Sequence, residues 1–131
     1  MGFAMGIASP STIHTTLVGM EAMLAPAGSW TQGADARDTS NEPCDPNGPE
    51  AVARCIYGAL SAACALVAPS AGLAPADLEE AVDEFLFDLW GTTASAINDN
   101  PAATHERVRE RLRHARLAAF ALTVPATAVA A

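Results

Sequence analysis

The stretch from Pro49 to Val67, PEAVARCIYGALSAACALV, constrains the fold of this chain more than any other. On a helical wheel Val52, Cys55, Ala59, Ala62, Ala63 and Leu66 share one face, with Ile56, Leu60 and Val67 beside them. Only Arg54, Tyr57 and Ser61 gather opposite as a narrow polar strip. A helix apolar around most of its circumference is buried, either in a bundle or in a membrane. The pattern therefore predicts a central helix over 49–67, with the other elements wrapped on it.

The bundle is favoured, because Arg54 interrupts the best apolar run before it reaches the roughly 18–20 residues of a spanning helix. With 131 residues, half of them hydrophobic, the chain is long enough to bury one core. Much of that apolar content is alanine, which predicts close helix contacts through small side chains. The formal net charge is −8 and lysine is absent. Nucleic acid and anionic membrane surfaces are disfavoured partners, since both select basic footprints. Cys44, Cys55 and Cys64 have no metal-like spacing, and Cys55 and Cys64 fall on opposite sides of a helix, so they read as free thiols in a reducing compartment. The opening MGFAMGIAS lacks the positive segment of a secretory signal, and Gly2 lacks an acylation motif. These features point to a cytoplasmic protein.

Along the chain, residues 1–9 read as a flexible leader, 10–122 as a single helical domain and 123–131 as a frayed tail. Ser9-Pro10 marks a helix start, and Ile13, Leu17, Met20 and Leu24 follow on one face before Pro26. Trp30 to Gly48 is dense in Asp, Asn, Pro, Gly and Ser and reads as a long irregular loop between helices 1 and 2. Pro49-Glu50 opens the central helix and Pro69 ends it. A third helix begins near Pro75, buries Leu78, Val82, Phe85 and Leu89, and stops at Gly91. Thr92 to Ile97 adds a single turn. A fourth main helix, capped by Thr104, buries Val108, Leu112, Ala115 and Ala119 and carries five of the seven arginines. The acidic third helix and the arginine-rich fourth are expected to pair antiparallel. The fold class is all-α, a compact bundle of four main helices.

No constellation specifies a reaction. The histidines have no ligand spacing, no phosphate-cradling loop is present, and no cofactor or metal is implied. Cys55, nearly two turns into an apolar helix, reads as a packing residue rather than a nucleophile. The arginine-rich helix reads as a solvated amphipathic face, with phosphate contact as the alternative. Asn98-Asp99-Asn100 reads as a structured turn, with a ligand-orienting or basic role for Asp99 as the alternative. Trp30, Gln32, Arg37, Asn98 and Asp99 are the candidate ligand- or partner-binding residues, and a cleft lined by Trp30, Gln32, Arg37 and Asp99 is the arrangement a ligand site would require.

Three ordered motifs carry a resemblance: W-x-Q-G-x-x-A-R over Trp30 to Arg37, C-x-x-G-A-L over Cys55 to Leu60, and Asn98-Asp99 followed by Thr104-x-x-x-Val108. The chain resembles domain-of-unknown-function family 6197, small domains found mainly in actinobacteria and their phages, over roughly Ile13 to Ala119. It departs from that pattern at Ile97, where an aromatic often precedes the Asn-Asp pair. The resemblance implies a compact helical fold without an assigned activity. It adds Gly33, Cys55, Gly58 and Thr104 as structural motif residues, with Gly58 and Ala59 placed for close helix approach.

The expected function is a non-catalytic protein-interaction or regulatory module, acting on a protein partner or by self-association. One alternative is a small-ligand-binding protein or minor hydrolase using Asp99 with Arg37, Trp30 and Cys55. Another is a phage-encoded inhibitor of a host protein.

Overall fold

The computed structural model describes residues 8–125. Its helices are α1 (Pro10–Met23), α2 (Ile56–Ala71), α3 (Pro75–Trp90), α4 (Ala94–Asp99) and α5 (His105–Thr123). A small antiparallel ribbon, β1 (Ala36–Arg37) with β2 (Ala53–Arg54), lies between α1 and α2 in sequence. The architecture is all-α in its main elements. Most of the expected leader (1–9) and of the expected tail (123–131) lies outside the described residues. Of the leader, Ala8 is buried and Ser9 caps α1.

The helix α1 starts where its cap signal lies. The Ser9 hydroxyl accepts the Thr12 amide at 3.1 Å, and Pro10 follows where a missing N–H leaves nothing unpaired. Ile13, Leu17, Met20 and Leu24 are all buried.

The central helix differs from expectation at both ends. It begins at Ile56, not Pro49, because residues 53 and 54 are held extended by neighbours on either side. Ala53 and Arg54 pair with Arg37 and Ala36. Arg54 also donates its amide to Ser29 at 2.8 Å and accepts that of Thr31 at 3.1 Å. A ladder of this kind satisfies the backbone as fully as a helix does, so apolar content alone does not decide between them. At the other end Pro69 lies inside the last turn, and Gly72, at φ +70°, closes the helix. The amides of Gly72 and Leu73 donate to the carbonyls of Pro69 and Ala68 at 3.3 and 3.0 Å, the paired bonds of a Schellman end. Leu66, expected on the buried face, is 72% exposed. The inward face is Ile56, Ala59, Leu60, Ala63, Cys64 and Ala68.

The segment Trp30–Gly48 is structured rather than irregular. Asp38 accepts the amides of Ser40 and Glu42 at 2.8 and 3.0 Å, and Asp45 accepts that of Asn47 at 2.9 Å. These are Asx-type turns built by the same residues that made the stretch look like coil. Asn47 Nδ2 reaches Ser61 Oγ at 3.2 Å and ties the loop to α2.

The helices α3 and α5 bury the stripes expected of them, Leu89 only in part. Gly91 ends α3 in the left-handed conformation, and Thr104 caps α5 by accepting the Arg107 amide at 3.2 Å. Packing pairs them differently from expectation: α2 packs against both α1 and α3, while α5 lies along α1. Among the described residues the ion pair is Arg116 with Glu21, between α5 and α1. Exposed charge pairs contribute only about 0–1 kcal/mol, too little to choose a partner over an apolar stripe. The expected small-residue contact is found between α1 and α2, where a Cβ on Gly19 would lie 3.5 Å from that of Ala63. Among the described residues no single helix is long and apolar enough to cross a membrane.

Candidate functional site

The motif residues converge on Asn98, which is 1% exposed in the last turn of α4. Thr93 caps that short helix by accepting the Ala96 amide at 3.1 Å. Asn98 Oδ1 accepts two bonds, from Trp30 Nε1 at 2.7 Å and from the Ile56 amide at 2.9 Å. Its Nδ2 donates to the Thr31 carbonyl and to Asp99 Oδ1, both at 3.1 Å. Two acceptor and two donor positions are filled, which is the capacity of the side-chain amide in this geometry. The bond from Ile56 has a further meaning. The first N–H groups of a helix lack intrahelical partners, so Asn98 satisfies the N-terminus of α2 from another helix.

Gln32 acts from the same loop. Its Nε2 donates to the carbonyls of Asn98 and Asn100 at 2.8 and 3.1 Å, covering the C-terminal end of α4. Arg37 closes the loop on itself, through Thr31 Oγ1 at 2.9 Å and the carbonyls of Asn41 and Gln32 at 3.1 and 3.2 Å. Gly33 adopts φ +79°, and a Cβ there would meet Arg37 Nη2 at 3.5 Å. Trp30 stacks on His105 with centroids 6.2 Å apart, and His105 Nε2 lies 2.5 Å from the Leu24 carbonyl, which can only accept a hydrogen bond from it. One network thus joins the end of α1, the loop, the start of α2, α4 and the start of α5.

Cys55 is placed otherwise than the sequence implied. It is the N-cap of α2, and its Sγ accepts the Gly58 amide at 3.2 Å. Thiols at helix N-termini are often activated, yet this one is pushed up from its ordinary range. Burial is the main cause, and the carboxylates of Asp35 and Asp99 add to it against the amides of Gly58 and Tyr57. It is held as a neutral thiol. Gly58 is not mid-helix either. A Cβ there would lie 2.0 Å from the Asp35 carbonyl oxygen, so the close approach that requires glycine is by loop backbone and not by another helix.

The open space in this region is a recess of about 250 Å³ bordered by Gly33, Asp35, Cys55, Ser95, Asn98 and Asp99. Of the five candidate residues, Asn98 and Asp99 border it, whereas Trp30 is engaged with Asn98 and His105, Gln32 with backbone carbonyls, and Arg37 with Thr31 and backbone carbonyls. Asn98-Asp99 is the end of a helix rather than a free turn, and only Asn100 leaves it. Thr104 acts as the cap expected of it. Asp35, Ser95 and His105 were not legible as members of this region: Asp35 and His105 arrive through contacts distant in sequence, and Ser95 borders the recess only because it shares α4 with Asn98. Among the described residues no group of three His, Cys, Asp or Glu is placed to hold a metal. The recess presents carboxylates, a hydroxyl and a protonated thiol, and among the described residues no cation borders it.

No curated protein and no solved structure matches the chain. A family model described as a family of unknown function, DUF6197, matches residues 8–118, which include all three motifs. The chain belongs to that family of unknown function.

Proposed function

We propose that this protein is a non-catalytic interaction module whose partner is a basic protein segment, received on the outer face of α3. The observation that carries this reading is the composition of that face. Asp77, Glu80, Asp83, Glu84 and Asp88 are exposed on it, Phe87 is 49% exposed among them, and neither α2 nor α3 carries a lysine or arginine. An apolar anchor ringed by one sign of charge suits a lysine- or arginine-rich segment with an apolar side chain of its own, since charge steers the encounter and the aromatic supplies buried area. The motif network supports the same reading from another side. Trp30, Gln32 and Arg37, which a hydrolase reading would place around substrate, already have protein partners.

The test is cross-linked capture from a lysate of the encoding organism. It compares the wild type with an E80Q/E84Q/D88N variant, with F87S and with R109Q/R113Q. A basic partner retained by the wild type and by R109Q/R113Q, but lost by the other two and by raised salt, supports the proposal. Capture unaffected by neutralising α3 sinks it.

A further inference from the structure

A second surface is built on different chemistry. Where α4 leads into α5, a recess of about 140 Å³ is floored by Ile97, Ala103 and Val108 and edged by Asn100, Arg107 and Arg111. We infer that this recess binds a small organic carboxylate with a compact apolar body, about one aromatic ring in size.

The argument begins with the arginines. Arg107 and Arg111 are one helical turn apart, so both project from the same side of α5. Arg111 lies over the Trp90 ring, its carbon 5.9 Å from the centroid. That contact engages the charge of the guanidinium and leaves its N–H groups unengaged. Among the described residues Arg111 has no hydrogen-bond acceptor and no ion-pair partner. Arg107 has one long bond from Nη1, to the Ala102 carbonyl at 3.4 Å. Asn100 uses its Oδ1 on the Ala102 amide at 2.8 Å, which leaves its Nδ2 as a third donor at the rim. Guanidinium forks match a carboxylate in plane and in spacing, and two such donors on one rim recognise an anion with direction as well as charge.

The floor decides what else the ligand carries. An inorganic anion would leave Ile97, Ala103 and Val108 against its hydration shell, whereas an apolar body would cover them. The volume is close to the roughly 150 Å³ of an apolar cavity that accepts benzene, so one ring or a branched chain of that size fills it. Glu110 and His114 share an adjoining groove with the same two arginines. The Glu110 carboxylate is therefore the internal competitor for them.

The test is a titration of the full chain with benzoate, followed by the NMR shifts of Arg111 Nε and the Ile97 methyls. Benzamide and inorganic phosphate are run in parallel. Expected is saturable binding on the order of 1 mM, with benzamide weaker by about tenfold, the ratio that one charge-assisted bond contributes. R111Q should lose binding, R111K should retain only part of it, and E110Q should tighten it, all with unchanged far-UV circular dichroism. Benzamide binding as tightly as benzoate would show an apolar patch without carboxylate recognition, and phosphate binding as tightly would show a general anion patch. Either result overturns the inference, as does the absence of any shift at concentrations about ten times higher. Because the acidic outer face of α3 and Phe87 border neither the recess nor its arginines, none of these outcomes bears on the basic-partner proposal.

Discussion

Replacing Asn98 with alanine removes a side chain that makes four hydrogen bonds while 1% exposed. Three of the groups left behind belong to other segments: Trp30 Nε1, the Ile56 amide and the Thr31 carbonyl. A buried group that loses its partner costs about 1–3 kcal/mol, against about 1 kcal/mol for a bond replaced by water. Asp99 is exposed and recovers solvent, so its share is small. Taking the lower part of that range for the three remaining groups, Asn98→Ala should destabilise the fold by about 3–5 kcal/mol. This is a large fraction of the roughly 5–15 kcal/mol of a typical domain. The assay is urea denaturation followed by tryptophan fluorescence and by far-UV circular dichroism, with midpoints compared at equal slope. A double-mutant cycle with Trp30→Phe should return a coupling on the order of 1 kcal/mol, because either change alone already breaks the same bond. A loss below about 1 kcal/mol for Asn98→Ala would refute the reasoning, since the network would then be replaceable by solvent.

Other outcomes follow from the same geometry. Gly58→Ala drives a methyl against the Asp35 carbonyl and should cost about 3 kcal/mol, the upper end of overpacking, by chemical denaturation. Gly19→Ala, with 3.5 Å to Ala63, should cost far less in the same assay. Cys55 should resist a thiol reagent at about pH 8 in the folded protein, with Cys44 modified first, because burial and two carboxylates keep the Cys55 thiol protonated. The Cys64 thiol is raised from 9.0 to about 12 by burial and by Glu79. The unfolded chain therefore ionises first as pH rises. Stability present below pH 9 should be lost between pH 9 and about 12, at up to about 1.4 kcal/mol per pH unit relative to Cys64→Ala.

How much of this was legible in the sequence differs from element to element. Helices α1, α3 and α5 were readable because start, stripe and stop agree in each: Ser9-Pro10, Pro75 with Gly91, and Thr104 with Val108 and Leu112. The start of α2 was not. Cysteine is an unusual cap, and an alanine-rich run carries little period with which to separate strand from helix. What keeps Ala53-Arg54 extended is Ala36-Arg37, and that pairing lies far away in sequence. The charges of α3 and α5 misled for a different reason. They describe solvated faces, while Val108, Leu112, Ala115 and Ala119 decide which helix α5 covers.

The motif itself was legible as a group and not as a mechanism. Trp30 and Gln32 meet at Asn98, whereas Arg37 bonds Thr31 and the carbonyls of Asn41 and Gln32, and Asp99 borders a recess that Trp30, Gln32 and Arg37 do not line. An asparagine beside an aspartate and a proline reads by default as a local turn former. That Asn98 instead caps a helix 42 positions away has no local signature. A hydrogen-bonding residue fixed by several segments at once would explain these motif residues without any ligand.

The central claim is that Asn98 locks the loop, α2 and α4 together, and the most direct measurement of it is hydrogen exchange at the Trp30 indole and the Ile56 amide. Both protons should exchange only through global unfolding in the wild type, and far faster in Asn98→Ala under conditions where that variant remains folded. Exchange of either proton at rates near those of free solvent in the folded wild type would contradict it.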